Sequence, residues 1–138
     1  MKFVAEIGLF GSGGITAESH HRRIMQRLED SPIPLGDIAL MTDIKATVAR
    51  SMPGSQVILF GSRARGDADL ESDYDLLILA PAGLACEVKE WLRDALYDVE
   101  LVHDIVLSVF VYDLVTWDLP IYRAMPLHQH IDQEGIVL

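Results

Sequence analysis

The order of strand and helix signals along this sequence predicts an α/β chain. Two short apolar strands, near 56–60 and 74–80, are bracketed by two stretches with helical periodicity. A third strand rich in Val and Ile follows the second helix, and Pro/Gly breaks separate the elements.

The first helix is expected from about Asp37 to Met52, where Leu40, Ile44 and Val48 recur at every fourth residue. Pro53-Gly54 ends it. Gln56–Phe60 and Tyr74–Ala80 form the first two core strands, and Pro81-Ala82-Gly83 closes the second. In the next helix Leu84, Val88, Trp91, Leu92, Ala95, Leu96 and Val99 fall on one stripe, opposite Glu87, Glu90, Arg93, Asp94 and Asp98. Trp91 is therefore expected in the core, while Cys86 lies off the stripe. The third strand is placed at about Val102–Val111, with Asp104, Val106 and Ser108 on one face and Ile105, Leu107 and Val109 on the other. Asp98 and Glu100 read as the polar end of the preceding helix, and Asp113 as a turn or helix cap. Leu114 to Glu134 looks helical but broken at Pro120 and Pro126, and Gly135 reads as a glycine stop before the apolar end Ile136-Val137-Leu138.

The N-terminal third is less regular. Phe3, Ala5, Ile7 and Leu9 alternate with Lys2, Glu6 and Gly8 as a strand does, and Gly11-Ser12-Gly13-Gly14 breaks the pattern. Thr16 to Asp30 reads as a short helix carrying His21, Ile24 and Leu28 on one face. His20 and His21 are adjacent, point to different sides of a helix and make a poor metal pair. The breaker Ser31-Pro32-Ile33-Pro34-Leu35-Gly36 sets the expected boundary, with an N-terminal extension at 1–36 and the domain proper at 37–138.

A chain of 138 residues, half of them hydrophobic and 23% charged, suffices for one globular core. Its net charge of −10 argues against binding long nucleic acid through a broad basic surface and favours small nucleotides held through metal. One cysteine permits no intramolecular disulfide. Glu6 and Gly8 interrupt what would be the apolar region of a signal peptide, and no apolar run approaches membrane-spanning length. A cytoplasmic protein is the expectation, with homo-oligomers left open.

The chemistry concentrates between Val57 and Leu79. Gly61 ends an apolar strand, and without a Cβ it lets the backbone approach a ligand. If Ser62 begins a helix, its hydroxyl and the N–H groups of that turn form an anion site. Arg63 and Arg65 add charge-assisted donors. Asp73 and Asp75, one residue apart on the next strand, point to the same side, away from Tyr74 and Leu76. Two such carboxylates suit a hard cation such as Mg²⁺, which shares its shell with phosphate oxygens and water. An echo of the turn at Leu9-Phe10-Gly11-Ser12 lacks the acids, since Arg23 and Met25 stand at the matching positions.

The joint pattern Gly61-Ser62-Arg63-Ala64-Arg65-Gly66 followed by Ser72-Asp73-Tyr74-Asp75-Leu76 resembles the signature of the DNA-polymerase-β-type nucleotidyltransferases, and within them the minimal nucleotidyltransferase branch. The resemblance covers roughly residues 40–138. It implies a small mixed sheet flanked by helices, as in a polymerase-β palm. It also implies an enzyme that moves a nucleoside monophosphate, AMP from ATP being favoured, to a hydroxyl acceptor. The nucleotide-binding residues it implies are Gly61, Ser62, Arg63 and Arg65. The catalytic and metal-holding acids are Asp73, Asp75 and a third on the next strand, where Asp104 is the choice, and together they would place two Mg²⁺ ions. His103 beside it faces away on a strand and is given a structural role, and His128 and His130 are expected at the surface. In this branch the partner is often a HEPN-domain protein, with the nucleotidyltransferase as its antitoxin. The competing reading is a catalytically idle module that binds nucleotide, or neutralises a partner by contact alone.

Overall fold

The computed structural model describes residues 2–5, 25–81, 83 and 85–138. The strand expected over 1–10 is present as β1 (Lys2–Ala5). The glycine-rich break, the echo turn and the adjacent histidines lie outside the described residues. Where the end of a helix was expected, Gln26–Arg27 forms a two-residue strand, β2, followed by a 3-10 turn at Leu28–Asp30.

Helix α1 (Leu35–Ser51) buries Leu40, Ile44 and Val48, the fourfold repeat read from sequence, together with Met41. Strand β3 (Gln56–Phe60) leads into the one-turn helix α2 (Ser62–Arg65), and β4 (Tyr74–Ala80) follows. Helix α3 (Cys86–His103) buries Leu92, Leu96 and Val99. Trp91 is 67% exposed, a correction to the expected core position. It sits one residue, about 100° of helix rotation, off the Leu92–Leu96–Val99 line. Cys86 is exposed.

The third core strand starts later than expected. α3 continues to His103, and Asp104 caps it in the left-handed region, φ 52° and ψ 52°, where Asp is tolerated better than most residues. Strand β5 is Leu107–Asp113. Buried Glu100 secures the junction, its carboxylate accepting the Leu107 N–H at 2.7 Å. His103, expected to face away on a strand, is instead the last residue of α3, with Nε2 lying 2.7 Å from Asp43 Oδ2 on α1.

The helical tract beyond β5 is cut by its prolines as expected, into α4 (Leu114–Trp117), α5 (Pro120–Arg123) and α6 (Pro126–Glu134). Each proline opens its helix, where the missing N–H has no cost. Asp113 caps α4 by accepting the Thr116 N–H at 2.9 Å. His128, expected at the surface, is fully buried and stacked on Trp117, with centroids 4.4 Å apart. Gly135 follows α6 at φ −63°, so space rather than a left-handed turn selects it: a Cβ there would meet the Ile131 carbonyl at 2.5 Å. Strand β6 (Ile136–Val137) has no counterpart in the sequence reading.

The strands form one mixed sheet in the order β1-β5-β4-β3-β6-β2. β4 runs parallel to β5 and β5 to β1, while β3 is antiparallel to β4 and β6. The first 36 residues, expected as an extension, thus supply a strand at each edge of the sheet. On one face, Val57, Leu59, Leu76, Ile78, Val109 and Val111 pack with α1 and α3. On the other, Ile58, Phe60, Leu77, Leu79 and Tyr112 pack with Trp117 and Ile131 of α4 and α6. A mixed sheet flanked by helices is the fold the sequence implied.

Candidate active site

Alternation along β4 puts Tyr74, Leu76 and Ile78 against α1 and α3, which leaves Asp75 on the face shared with Leu77 and Leu79. Asp73 precedes the strand by one residue and keeps to the same side as Asp75. Register extends this row across the sheet, with Phe60 opposite Asp75, Asp75 opposite Ser108 and Ser108 opposite Lys2. Paired residues on neighbouring strands project to the same face. The two acids therefore lie at the end of the sheet where β3 finishes and β4, β5 and β1 begin.

The turn after β3 closes on them. Gly61 has φ 75° and ψ −159°, a conformation that side-chain-bearing residues rarely adopt. A Cβ at Gly61 would also collide with Asp75 Oδ2. Two independent constraints thus select glycine, and the second brings the turn's backbone into contact with the carboxylate. In α2 the first N–H groups to fold back are those of Ala64 and Arg65, both onto the Gly61 carbonyl at 3.0 Å. The N–H groups of Ser62 and Arg63 precede them, where a helix has no acceptor of its own to offer.

The two arginines do different things. Arg63 donates from Nε and Nη2 to the Ser72 carbonyl at 3.2 and 3.0 Å, and from Nη2 to the Leu70 carbonyl at 3.0 Å. Its guanidinium lies 4.3 Å from the centroid of the Tyr74 ring. Tyr74 in turn donates its hydroxyl to Asp37 Oδ1 at 3.2 Å, and burial, then the Asp37 charge, pushes its pKa up. Arg63 therefore straps down the 66–73 loop that delivers Asp73, a position unlike the phosphate contact expected of it. Arg65 is held by Glu134, with Nη1 at 3.0 and 3.2 Å from the two carboxylate oxygens, and by Asp67 at 3.2 Å from Nε. Glu134 Oε1 also accepts the Gly61 N–H at 3.1 Å. A carboxylate from the last residue of α6 is thus bound by a backbone donor and a cation of the turn.

Asp73 accepts the Ser108 hydroxyl at 3.2 Å on Oδ2, and Lys2 Nζ lies 3.8 Å from the same oxygen. The Asp75 pKa is raised by burial first and by the Asp73 charge second, against opposing influences from Lys2 and Arg65. A carboxylate whose charge is resisted by burial and by a like neighbour is one that a cation would stabilise. On this ground the Asp73–Asp75 pair suits a hard divalent cation.

Asp104 does not join them as expected. It is exposed, and it sits at the end of α3 rather than on the strand. Among the described residues, no group of three His, Cys, Asp or Glu side chains comes together as a metal site. The position on β5 in register with Asp75 belongs to Ser108, which is 6% exposed. Sequence reasoning had placed Ser108 and Asp104 on one face without choosing between them by register. Lys2 and Glu134 were missed, since each reaches the site through a pairing distant in sequence.

A family model described as a nucleotidyltransferase domain matches residues 41–121, more than half of the chain. The chain belongs to the nucleotidyltransferase domain family. A protein of Methanocaldococcus jannaschii, named as a candidate protein adenylyltransferase, is 42% identical over 57 residues, which cover 41% of this chain. The chain spans 58% of that relative's length. A crystal structure described as a toxin-antitoxin with AMP-PNP is similar at a TM-score of 0.48 and 18% identity, over 68% of each chain. The family match covers the Gly61 turn, both acids and Ser108, whereas Lys2 and Glu134 fall outside it.

Proposed function

We propose that this domain transfers AMP from ATP, with Mg²⁺, to a hydroxyl group of a partner protein. One observation carries the reading: Asp73 and Asp75 share a face, and Asp75 touches the Gly61 backbone at the mouth of the Ser62 helix. On this reading the pair of carboxylates binds a cation beside backbone N–H groups that donate to phosphate. Asp73 and Asp75 would hold the ion, which when bound draws charge from the phosphate oxygens and lowers the pKa of a coordinated hydroxyl. The Gly61-Ser62 backbone and the Ser62 hydroxyl orient the triphosphate, and Arg65 offers it positive charge once it leaves Glu134. Arg63 acts at one remove, by fixing the loop that positions Asp73. The acceptor oxygen forms its bond to the α-phosphorus, the bond to pyrophosphate breaks, and the hydroxyl proton passes to solvent.

The choice of adenylate and of a protein acceptor is supported by the name of the Methanocaldococcus jannaschii relative. A HEPN-domain partner, with this chain as its antitoxin, completes the reading on the sequence resemblance alone. The test is calorimetric titration with ATP, GTP, CTP and UTP, with and without Mg²⁺, repeated on Asp73→Ala. Mg²⁺-dependent binding of ATP that the variant loses supports the site, and a partner gaining the mass of one AMP supports the reaction. Absence of nucleotide binding in the presence of Mg²⁺ refutes both.

The second reading is a module that neutralises a partner by contact alone. Ser108 favours it, because a neutral residue fills the strand position where a third carboxylate would stand. Replacing Asp73 and Asp75 together by Ala separates the two. Protection from a toxic partner that survives the double substitution assigns the function to contact.

A further inference from the structure

We infer that the site works with one divalent cation, and that the Lys2 ammonium stands in for a second. The inference rests on the transferase reading and sets its metal count.

A pair of ions about 3.5–4 Å apart brings four positive charges together and needs carboxylates that bridge them. Asp73 and Asp75 supply two negative charges. The neighbouring strand position that could bridge the ions is Ser108, in register with Asp75, buried and uncharged. Its hydroxyl already donates to Asp73 Oδ2 at 3.2 Å. The next position in the same row, on β1, is Lys2, and its Nζ approaches that same oxygen to 3.8 Å. One oxygen of Asp73 thus faces a hydroxyl donor and a cation of the protein's own, on the flank toward β5 and β1. On this flank the serine donates a hydrogen bond to Asp73 and the lysine offsets its charge, and the other flank, toward Asp75 and the Gly61 turn, would be left for metal and phosphate.

Lysine suits this place chemically. Its ammonium is a compact charge with three donors on a flexible stem, and it can turn from Asp73 to a phosphate or acceptor oxygen as negative charge develops. The Lys2 side chain is 80% exposed, so such a movement needs no repacking of the core.

The experiment counts bound Mn²⁺ by electron paramagnetic resonance on the full chain, with a non-hydrolysable ATP analogue present. One ion per chain is expected. Two ions per chain overturn the inference and leave nucleotidyl transfer standing. Failure of the chain to bind the analogue with Mn²⁺ at all overturns the transferase reading, and this inference with it. Lys2→Met removes a positive neighbour of Asp73 and should tighten Mn²⁺ binding about two- to fivefold, the range of an exposed ion pair. Lys2→Arg restores the charge and should return the affinity to that of the unsubstituted chain. A merely structural role for Lys2 would weaken binding in Lys2→Met, and an affinity unchanged or lowered in that variant refutes the assignment.

Discussion

Replacing Asp75 by Asn should make the metal-free protein more stable while removing the proposed metal site. Asp75 is pressed under the Gly61 turn, and burial together with the Asp73 charge raises its pKa. A folded-state pKa above the unfolded value means that the folded chain holds the proton more tightly. The group then favours folding most at pH below its unfolded pKa, and that benefit is lost as pH rises through the folded pKa. At neutral pH the ionised Asp75 therefore opposes folding. Strand geometry separates Asp73 and Asp75 by about 7 Å, which gives a repulsion of roughly 2.4 kcal/mol at an effective dielectric of 20 and roughly 0.6 in water. Both acids are part-exposed and Lys2 lies close by, so about 1 kcal/mol is the working figure. For a chain of 138 residues this corresponds to a Tm increase of about 3 °C. The assay is thermal unfolding of the chain and of Asp75→Asn across the acid-to-neutral range, without divalent metal and then with Mg²⁺ and ATP. The gain should be present at neutral pH and shrink as pH falls through the raised pKa of Asp75, below which Asp75 is itself neutral. With Mg²⁺ and ATP the order should reverse, because only the unsubstituted chain gains the stabilisation of a bound ligand. A variant less stable than the parent at neutral pH, or a difference that does not vary with pH, would refute this account of Asp75.

Three further substitutions test the neighbouring contacts. Gly61→Ala must bear a positive φ and a clash with Asp75; it should lose about 1–3 kcal/mol by chemical denaturation and lose nucleotide binding at the same time. Arg63→Ala frees the Leu70 and Ser72 carbonyls and should cost about 1–2 kcal/mol, with faster amide hydrogen exchange confined to the 66–73 loop. Global rather than local loss of protection would show that Arg63 supports more than the loop. Glu134→Gln retains an acceptor for the Gly61 N–H but removes the charge that holds Arg65, so titration with Mg²⁺-ATP should show binding tighter by up to about fivefold. Weaker binding there would make Glu134 a support of the turn rather than a competitor with phosphate.

The parts of the fold legible in sequence were those that local physics determines. The fourfold repeat of α1 and the apolar runs of β3 and β4 specify their own faces, and strand alternation alone put Asp73 and Asp75 on one side. Prolines 120 and 126 marked the breaks in the last helical tract, and each opens the helix that follows, because its ring is tolerated only in a first turn. The third acid failed for a local reason too. Val102 to Val111 is uniformly apolar apart from His103, Asp104 and Ser108, and periodicity does not separate the last turn of a helix from the first residues of a strand. What decides between them is the Glu100 carboxylate bonding to the Leu107 N–H, a contact between side chain and backbone that no pattern of residue types announces. Trp91 misled in the same way, since a stripe drawn wide enough to include it is wider than the face that α3 turns to the sheet. β6 is two residues long and carries no period at all.

The division between legible and hidden residues is also a division of labour within the site. The Gly61 turn and the Asp73-Asp75 pair lie within 15 residues of each other, inside the segment that marks the family, and their geometry follows from one hairpin of β3 and β4. Lys2 and Glu134 come from opposite ends of the sequence and arrive through the strands and helices laid beside that hairpin. Each brings a charge to one half of the site, Lys2 to the acids and Glu134 to the phosphate turn, and each charge is opposite to the group it meets. A ligand of Mg²⁺ and triphosphate carries the same two charges, positive toward the acids and negative toward the turn. The flanking elements therefore hold the site in the electrostatic pattern of its proposed ligand while using exposed or part-exposed ion pairs, which are weak enough to yield to it. On this reasoning the strength of these two contacts sets how readily nucleotide enters, and the hairpin sets what happens once it has.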